Sequence, residues 1–372
     1  METDATDDQR ALLEVSSRFI NEVCPLRAVR DGLWRDAQFA KAYRRQAAEL
    51  GWFSMLVPEA LGGGSVSGNG ALDTALIAYR RGALLQPGSF VGTNVVARAI
   101  VEAGSESVQA TVLPALLAGD ASASWAVDAP GARLDAGVVA RILDGGGLEL
   151  TGAKRAVQDV DDDSWLLVTC STPDGAAQAL IAANAPGVTV TELDSLDLSR
   201  RFATVAFDAA RVDASAVVGA PGAADELIAR QLALAVTLVA AEMVGAMDQD
   251  LATTVQYAKD RVAFGRPIGS FQGVKHQRAD TSLALEMSRA ITLAAARAVG
   301  GDEFGSSAAS MAKAFVGDAG IDLVQTCFQV YGGIGYTWEH DQHLYLRRIT
   351  TDAELFGNAS WHREHVCQLA GI

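Results

Sequence analysis

A chain of 372 residues, 49% hydrophobic and 20% charged, is long enough to bury a sizeable core across two or three domains. Its net charge of −15 argues against a surface that gathers positive charge onto nucleic-acid phosphates, and no stretch reaches the roughly 18 uninterrupted apolar residues of a membrane span. The start, "METDATDD", lacks the basic lead and apolar core of a signal peptide. Cys24, Cys170, Cys327 and Cys367 have no metal-ligand spacing, which predicts buried thiols in a soluble protein of a reducing cytoplasm.

Over 1–120 the apolar residues recur every three to four positions, as in "DDQRALLEVSSRFINEVC" and "ALDTALIAYRRGALL", predicting a helical domain. The Gly-rich run "VPEALGGGSVSGNG" (57–70) lacks the Gly-Lys-Ser/Thr ending of a phosphate loop and reads as a mobile surface turn. Over 121–218, strand-length runs such as "SWLLVTCST" and "ATVAFDAARV" alternate with turn residues, predicting a small β-barrel or sandwich, with the acidic "QDVDDD" (158–163) as a solvated turn. Over 219–372, long Ala- and Leu-rich segments predict a four-helix-type bundle. The expected class is α+β, with helices, then a central β domain, then helices.

Two motifs narrow this outline. "KDRVAFGRPIGSFQGVKHQRAD" (259–280) and "FQVYGGIGYTWEHD" (328–341), in that order, resemble paired signatures of the acyl-CoA dehydrogenases, and "VPEALGGG" fits the same family. The resemblance implies a flavoprotein in which a carboxylate removes the α-proton of an acyl-CoA thioester while FAD accepts the β-hydride. It also implies that one chain holds the flavin ring while a neighbour supplies further contacts. Carried over by position, the residues a neighbour would supply are Arg261, Phe264, Gln272, Gln329, Gly332 and Gly333. The chemistry suits those types: a guanidinium donates charge-assisted hydrogen bonds to a pyrophosphate, and glycines let backbone approach a cofactor.

The receiving half departs from the family. Where "[VI]TEPxAGSD" is expected, the chain has "VDAPGARLD" (127–135), with Asp128 for Thr, Ala129 for Glu and Arg133-Leu134 for Gly-Ser. An unpaired carboxylate at Asp128 would repel a phosphate. Where "KxWI[ST]" is expected, the chain has "KRAVQ" (154–158), with Ala156 for the Trp and Gln158 for the hydroxyl residue. The two positions where the family places its catalytic base hold Phe356 and Ala235, neither able to accept a proton. Glu242, two turns beyond Ala235, is one alternative base; Asp352 and Glu354 are others. His340, His343, His362 and His365 lack zinc spacing and read as structural or interfacial.

A chain that keeps the residues offered to a neighbour's flavin, and departs at those that hold its own, resembles the accessory subunit of actinobacterial heteromeric acyl-CoA dehydrogenases. That resemblance implies an α2β2 assembly with a homologous catalytic chain, FAD shared across the interface, and an acyl-CoA substrate such as a steroid side-chain thioester bound by the partner. Two alternatives stay open: a self-sufficient homo-oligomeric dehydrogenase with its base relocated to Glu242, and a flavin-free scaffolding pseudoenzyme.

Overall fold

The computed structural model describes Met1 and residues 5–128, 137–300 and 305–372. The chain begins with seven helices, α1 (Asp7–Val23), α2 (Leu26–Arg30), α3 (Ala37–Glu49), α4 (Gly70–Ala83), α5 (Phe90–Ala103), α6 (Glu106–Thr111) and α7 (Leu113–Leu117). Their starts are written in the sequence. Thr6 caps α1 in a reciprocal box with Gln9, Asp36 accepts from the Phe39 amide at α3, and Asn69 accepts from the Leu72 amide at α4.

Eight strands follow: β1 (Ser122–Ala126), β2 (Val138–Ile142), β3 (Leu148–Gln158), β4 (Ser164–Thr172), β5 (Gly175–Ala182), β6 (Val188–Leu193), β7 (Phe202–Val212) and β8 (Val217–Val218). They form one mixed sheet in the order β6-β7-β3-β2-β4-β5-β8, with β1 parallel to β4. The expected barrel takes the form of a sheet wrapped around its own core. Leu166, Val168 and Cys170 on one face of β4 join Val138, Leu150, Val205 and Val217 in a single cluster. Leu167, on the opposite face, packs into the helical core instead. The end strands β6 and β8 are not hydrogen-bonded to each other among the described residues, so the sheet does not close.

The last third contains α8 (Asp225–Asp260), the hairpin strands β9 (Val262–Ala263) and β10 (Arg266–Pro267), α9 (Gln272–Val299), α10 (Ser306–Tyr331), α11 (Gln342–Glu354) and α12 (Ala359–Leu369). Helix α10 packs on α8, α9, α11 and α12. Among the described residues, α8 alone is long and apolar enough to cross a membrane, yet 78% of its most apolar window is buried in the fold. It also runs hard against α4. A Cβ at Gly82 would fall on the carbonyl of Glu242, and one at Gly245 on that of Tyr79.

Three expectations change here. The Gly-rich loop is pinned rather than mobile, because buried Asp73 accepts from Gln9 Nε2 (2.7 Å), Ser65 Oγ (2.6 Å), Ser67 Oγ (2.8 Å) and the Ser67 amide (3.0 Å). The acidic run is not simply solvated: Asp159 is buried with a left-handed backbone, and Asp161 pairs with Arg44 at 3.1 Å. Cys24, Cys170 and Cys327 are buried free thiols, whereas Cys367 is exposed on α12.

Candidate functional site

The six motif residues gather at one end of the bundle. Tyr257 in the last turn of α8 packs on Tyr331 at the end of α10, with ring centroids 4.7 Å apart. Arg278 near the start of α9 donates to the Thr326 carbonyl of α10 at 3.1 Å. Arg261, just past the end of α8, therefore shares this end with Gln272, Gln329 and the Gly332–Gly333 step.

Between Arg261 and Gln272 the chain makes a two-residue hairpin, with Phe264 and Gly265 both left-handed (φ 52° and 78°). That turn carries Phe264 to the tip, 95% exposed. Gly332 has φ 60° and ψ −138°, a conformation only glycine adopts freely, and a Cβ at either Gly332 or Gly333 would meet open space. Arg261, Gln272 and Gln329 are exposed, and their side chains have no hydrogen-bond or ion-pair partner among the described residues. A cationic side chain, two amides, an exposed aromatic edge-on to Phe271 and two glycines thus present an exposed polar-aromatic cradle. It fits a phosphate-bearing aromatic cofactor lying across it.

The receiving half is a cavity of about 580 Å³ between α5, β1, β3 and α11. Of the altered "VDAPGARLD" stretch, Val127 and Asp128 line it, while Ala129–Asp135, including Pro130, Ala132, Arg133 and Leu134, lie outside the described residues. Asp128 is not the free repelling carboxylate that the sequence suggested. Lys154, almost fully buried, pairs with it directly, and burial lowers the Lys154 pKa against the pull of Asp128.

Ala156 and Gln158 face the same cavity from β3, so the sequence position that matches the family's Trp carries only a methyl group, and the indole lining this cavity is that of Trp125. Phe356 occupies the base position and stacks on Trp125 of β1, centroids 5.8 Å apart and planes 25° from parallel. Ala235, the other base position, is fully buried in the helical core. Among the described residues, the two usual base positions therefore carry no proton acceptor, and Glu354 is the one carboxylate besides the lysine-paired Asp128 that lines this cavity.

Glu242 does not face this cavity. It is sealed in a six-charge cluster where the N-terminal helices, the sheet and the bundle meet. Arg200 Nη2 reaches Glu242 Oε2 at 2.6 Å, Arg81 Nε lies 3.6 Å from Glu242 Oε1, and Arg200 Nε donates to Asp352 Oδ1 at 2.8 Å. Arg348 sits 3.3 Å from Asp352 and donates to Ser199 Oγ at 2.8 Å; Asp197 completes the set 3.9 Å from Arg200. Burial acts to raise the Glu242 pKa, but Arg200, Arg348 and Arg81 outweigh it and hold the carboxyl below its ordinary value. A relocated base at Glu242 is therefore corrected: the group is ionised, enclosed and committed to arginines. Asp352 belongs to the same cluster, with burial pushing it up to about 6. Glu354 is exposed at the cavity rim.

The histidines do not converge. His340 packs on Tyr331, His343 on Trp338 and His365 on Trp361. No metal-holding cluster occurs among the described residues. His362 and Lys313, whose importance the motifs did not reveal, hold the Phe356–Gly357 elbow. His362 Nε2 donates to the Phe356 carbonyl at 3.0 Å, and its Nδ1 takes the Ser310 hydroxyl at 3.1 Å. Burial lowers His362 to about 4, which keeps the neutral form this pairing needs. Lys313 Nζ donates to the carbonyls of Ala353 and Gly357 at 2.6 and 2.9 Å. A lone lysine inside the apolar run "SMAKAFVGD" was the available sequence signal.

The order of layers has a counterpart in known proteins. The acyl-CoA dehydrogenase N-terminal domain matches residues 6–120, and the C-terminal domain of the same family matches residues 226–369. The chain belongs to the acyl-CoA dehydrogenase family. It is 34% identical to acyl-CoA dehydrogenase FadE34 of Mycobacterium tuberculosis over 329 residues, 85% of this chain but 40% of FadE34. The chain thus spans well under half of that relative. Two solved structures superpose along their length. One is a variant of the Tcur3481-Tcur3483 steroid ACAD (TM-score 0.88, 25% identity, 98% of each chain). The other is the ChsE4-ChsE5 complex from Mycobacterium tuberculosis (TM-score 0.89, 26% identity, 100% of this chain and 99% of that one).

Proposed function

We propose that this chain is the non-catalytic subunit of a two-chain acyl-CoA dehydrogenase and completes the FAD site of a homologous catalytic partner. One observation carries the reading. The side chains of Arg261, Gln272 and Gln329 are exposed with no hydrogen-bond or ion-pair partner among the described residues, and Phe264, edge-on to Phe271, is 95% exposed beside Gly332 and Gly333, whereas the inward cavity holds Phe356 where a base belongs. The similarity to enzymes whose names join two proteins supports an assembly of unlike chains, which we propose to be α2β2. The steroid ACAD among them supports a steroid side-chain CoA thioester as substrate, bound by the partner. The buried free thiols suit a reducing cytoplasm.

In this role Arg261 would bind the pyrophosphate, Gln272 and Gln329 would orient the cofactor through their amides, and Phe264 would cover it from water. The flavin, when bound, supplies the hydride acceptor for α,β-dehydrogenation. This chain's own residues bind and shield; proton abstraction falls to the partner.

Co-expression with a homologous chain that has an intact flavin pocket and base tests the proposal. The purified complex should contain both proteins and FAD, and R261A/Q272A should lose most of the 450 nm flavin absorbance while keeping the complex intact. An isolated chain that binds stoichiometric FAD and oxidises an acyl-CoA refutes it. An R261A/Q272A complex with unchanged flavin content points instead to scaffolding without cofactor contact.

A further inference from the structure

Strand β6 lies at one end of the sheet, paired with β7 on one side and with no strand on the other among the described residues. Its sequence, "VTVTEL", has no proline, lysine or register shift, the devices by which natural edge strands avoid pairing with other chains, and its one charge, Glu192, is tied to Arg35 at 3.2 Å. The antiparallel register fixes which backbone groups stay free. The Asp208 amide donates to the Gly187 carbonyl at 2.8 Å, so the hydrogen-bonded pairs with β7 fall on alternate residues, Thr189, Thr191 and Leu193. The Val188 amide donates to the Ala185 carbonyl at 3.0 Å, which leaves the amides and carbonyls of Val190 and Glu192 at the outer edge.

A cleft of about 760 Å³ opens on the face of the sheet that Val190 and Glu192 share, and Ala37, Ala40 and Lys41 of α3 also line it. A strand added at this edge would send every second side chain toward that cleft. The cations there are already engaged: Lys41 pairs with Asp163 at 2.9 Å and Arg44 with Asp161 at 3.1 Å. Arg201 stands beside buried Asp159, which accepts its amide at 3.3 Å, and packs over the Trp34 ring. Three exposed acids have no ion-pair partner among the described residues: Asp162 in the cleft, Asp194 directly after β6, and Asp208 opposite Gly187. The edge thus offers free main-chain groups within an acidic frame.

We propose that the outer edge of β6 is a docking site for an extended, basic segment of another protein, which joins the sheet as a further strand. Main-chain hydrogen bonds at Val190 and Glu192 supply affinity, while the cleft and the three acids select a segment of alternating side chains that carries lysine or arginine. A second copy of this chain fits less well, because it would set the same acids against one another. The site uses none of the six residues proposed to meet a cofactor, and it stands independently of that reading.

The full chain is titrated with the fluorescein-labelled peptide KVTVKVTVK, with EVTVEVTVE, and with KVTVKVTVK N-methylated at every amide, following anisotropy. Saturable binding of the basic peptide is expected, with the acidic and the N-methylated peptides at least tenfold weaker. On binding, hydrogen exchange should slow at the Val190 and Glu192 amides, whereas Thr191 should be slow with or without peptide. V190P removes a donor that no internal bond uses, so it should keep the far-UV spectrum and weaken the basic peptide at least tenfold. No saturable binding, an acidic or N-methylated peptide that binds as tightly, or V190P binding like wild type overturns the site. Slow exchange at Val190 and Glu192 in a self-associated chain without peptide also overturns it and assigns the edge to a second copy. Should V190P fail to fold, the N-methylated peptide and the exchange pattern decide the matter.

Discussion

Replacing Glu242 with glutamine keeps the side chain's size and removes one charge from a sealed cluster. Three guanidiniums, Arg81, Arg200 and Arg348, stand against three carboxylates, Glu242, Asp352 and Asp197, and every one of these side chains is at most 2% exposed. In E242Q a buried guanidinium is left without its counter-charge, and breaking a buried pair from one side costs about 3–5 kcal/mol. At roughly 2.1 cal/mol/K of unfolding entropy per residue, a 372-residue chain loses about 1.3 °C of Tm per kcal/mol, so E242Q should melt about 4–6 °C lower. Differential scanning calorimetry at pH 7 measures this. A catalytic base predicts the reverse pattern, a Tm within about 1 °C of wild type and loss of acyl-CoA oxidation; that pair of results would refute the structural assignment.

Other buried carboxylates make different predictions. Asp250 is bonded to Gln342 Nε2 at 3.0 Å, and burial pushes its pKa up to about 7. The folded state therefore holds a proton that the unfolded chain releases near pH 4, and stability is lost as pH rises between those values. D250N escapes that loss, so its Tm relative to wild type should climb by about 3–5 °C from pH 5 to pH 8, matching about 2–4 kcal/mol of linkage. A gap that stays flat across the range counts against it. Asp73 holds four donors of α1 and the Gly-rich loop, so D73A should cost about 3 kcal/mol and expose residues 57–70 to limited proteolysis. Unchanged cleavage there would show that the loop is ordered by something else.

Helix, sheet and bundle were readable because each has its own period: three to four in "RALLEVSSRFI", two in the strands. The six residues proposed to meet a cofactor could be picked out because they lie in two contiguous motifs. What could not be read depends on partners far apart in the chain. Nothing near Asp73 announces Gln9, nothing near Asp161 announces Arg44, and the pairing of Glu242 with Arg200 needs the fold to bring α8 against the segment after β6. Polar residues in a Gly-rich or acidic stretch look solvated until such a partner removes them from water. The same blindness made Asp128 look like a free charge, because Lys154 lies on a neighbouring part of the sheet.

The elbow at Phe356 bears on how the cavity came to be kept. Phe356 and Gly357 both have left-handed backbones (φ 57° and 102°), a conformation that strains a phenylalanine by about 1 kcal/mol or more. Decay alone would let that strain relax. Instead a buried lysine and a buried neutral histidine grip the carbonyls on either side of it, and both have their charge-bearing forms disfavoured by burial. The frame that would present a base is thus maintained with a ring in place of a carboxylate. That ring is not idle, because it closes one wall of the cavity against Trp125. The outward cradle at the other end of α8 has the complementary character, with the side chains of Arg261, Gln272 and Gln329 exposed. The proposed division of labour rests on this contrast: an exposed polar end of the bundle, and a cavity whose base position is closed by a ring.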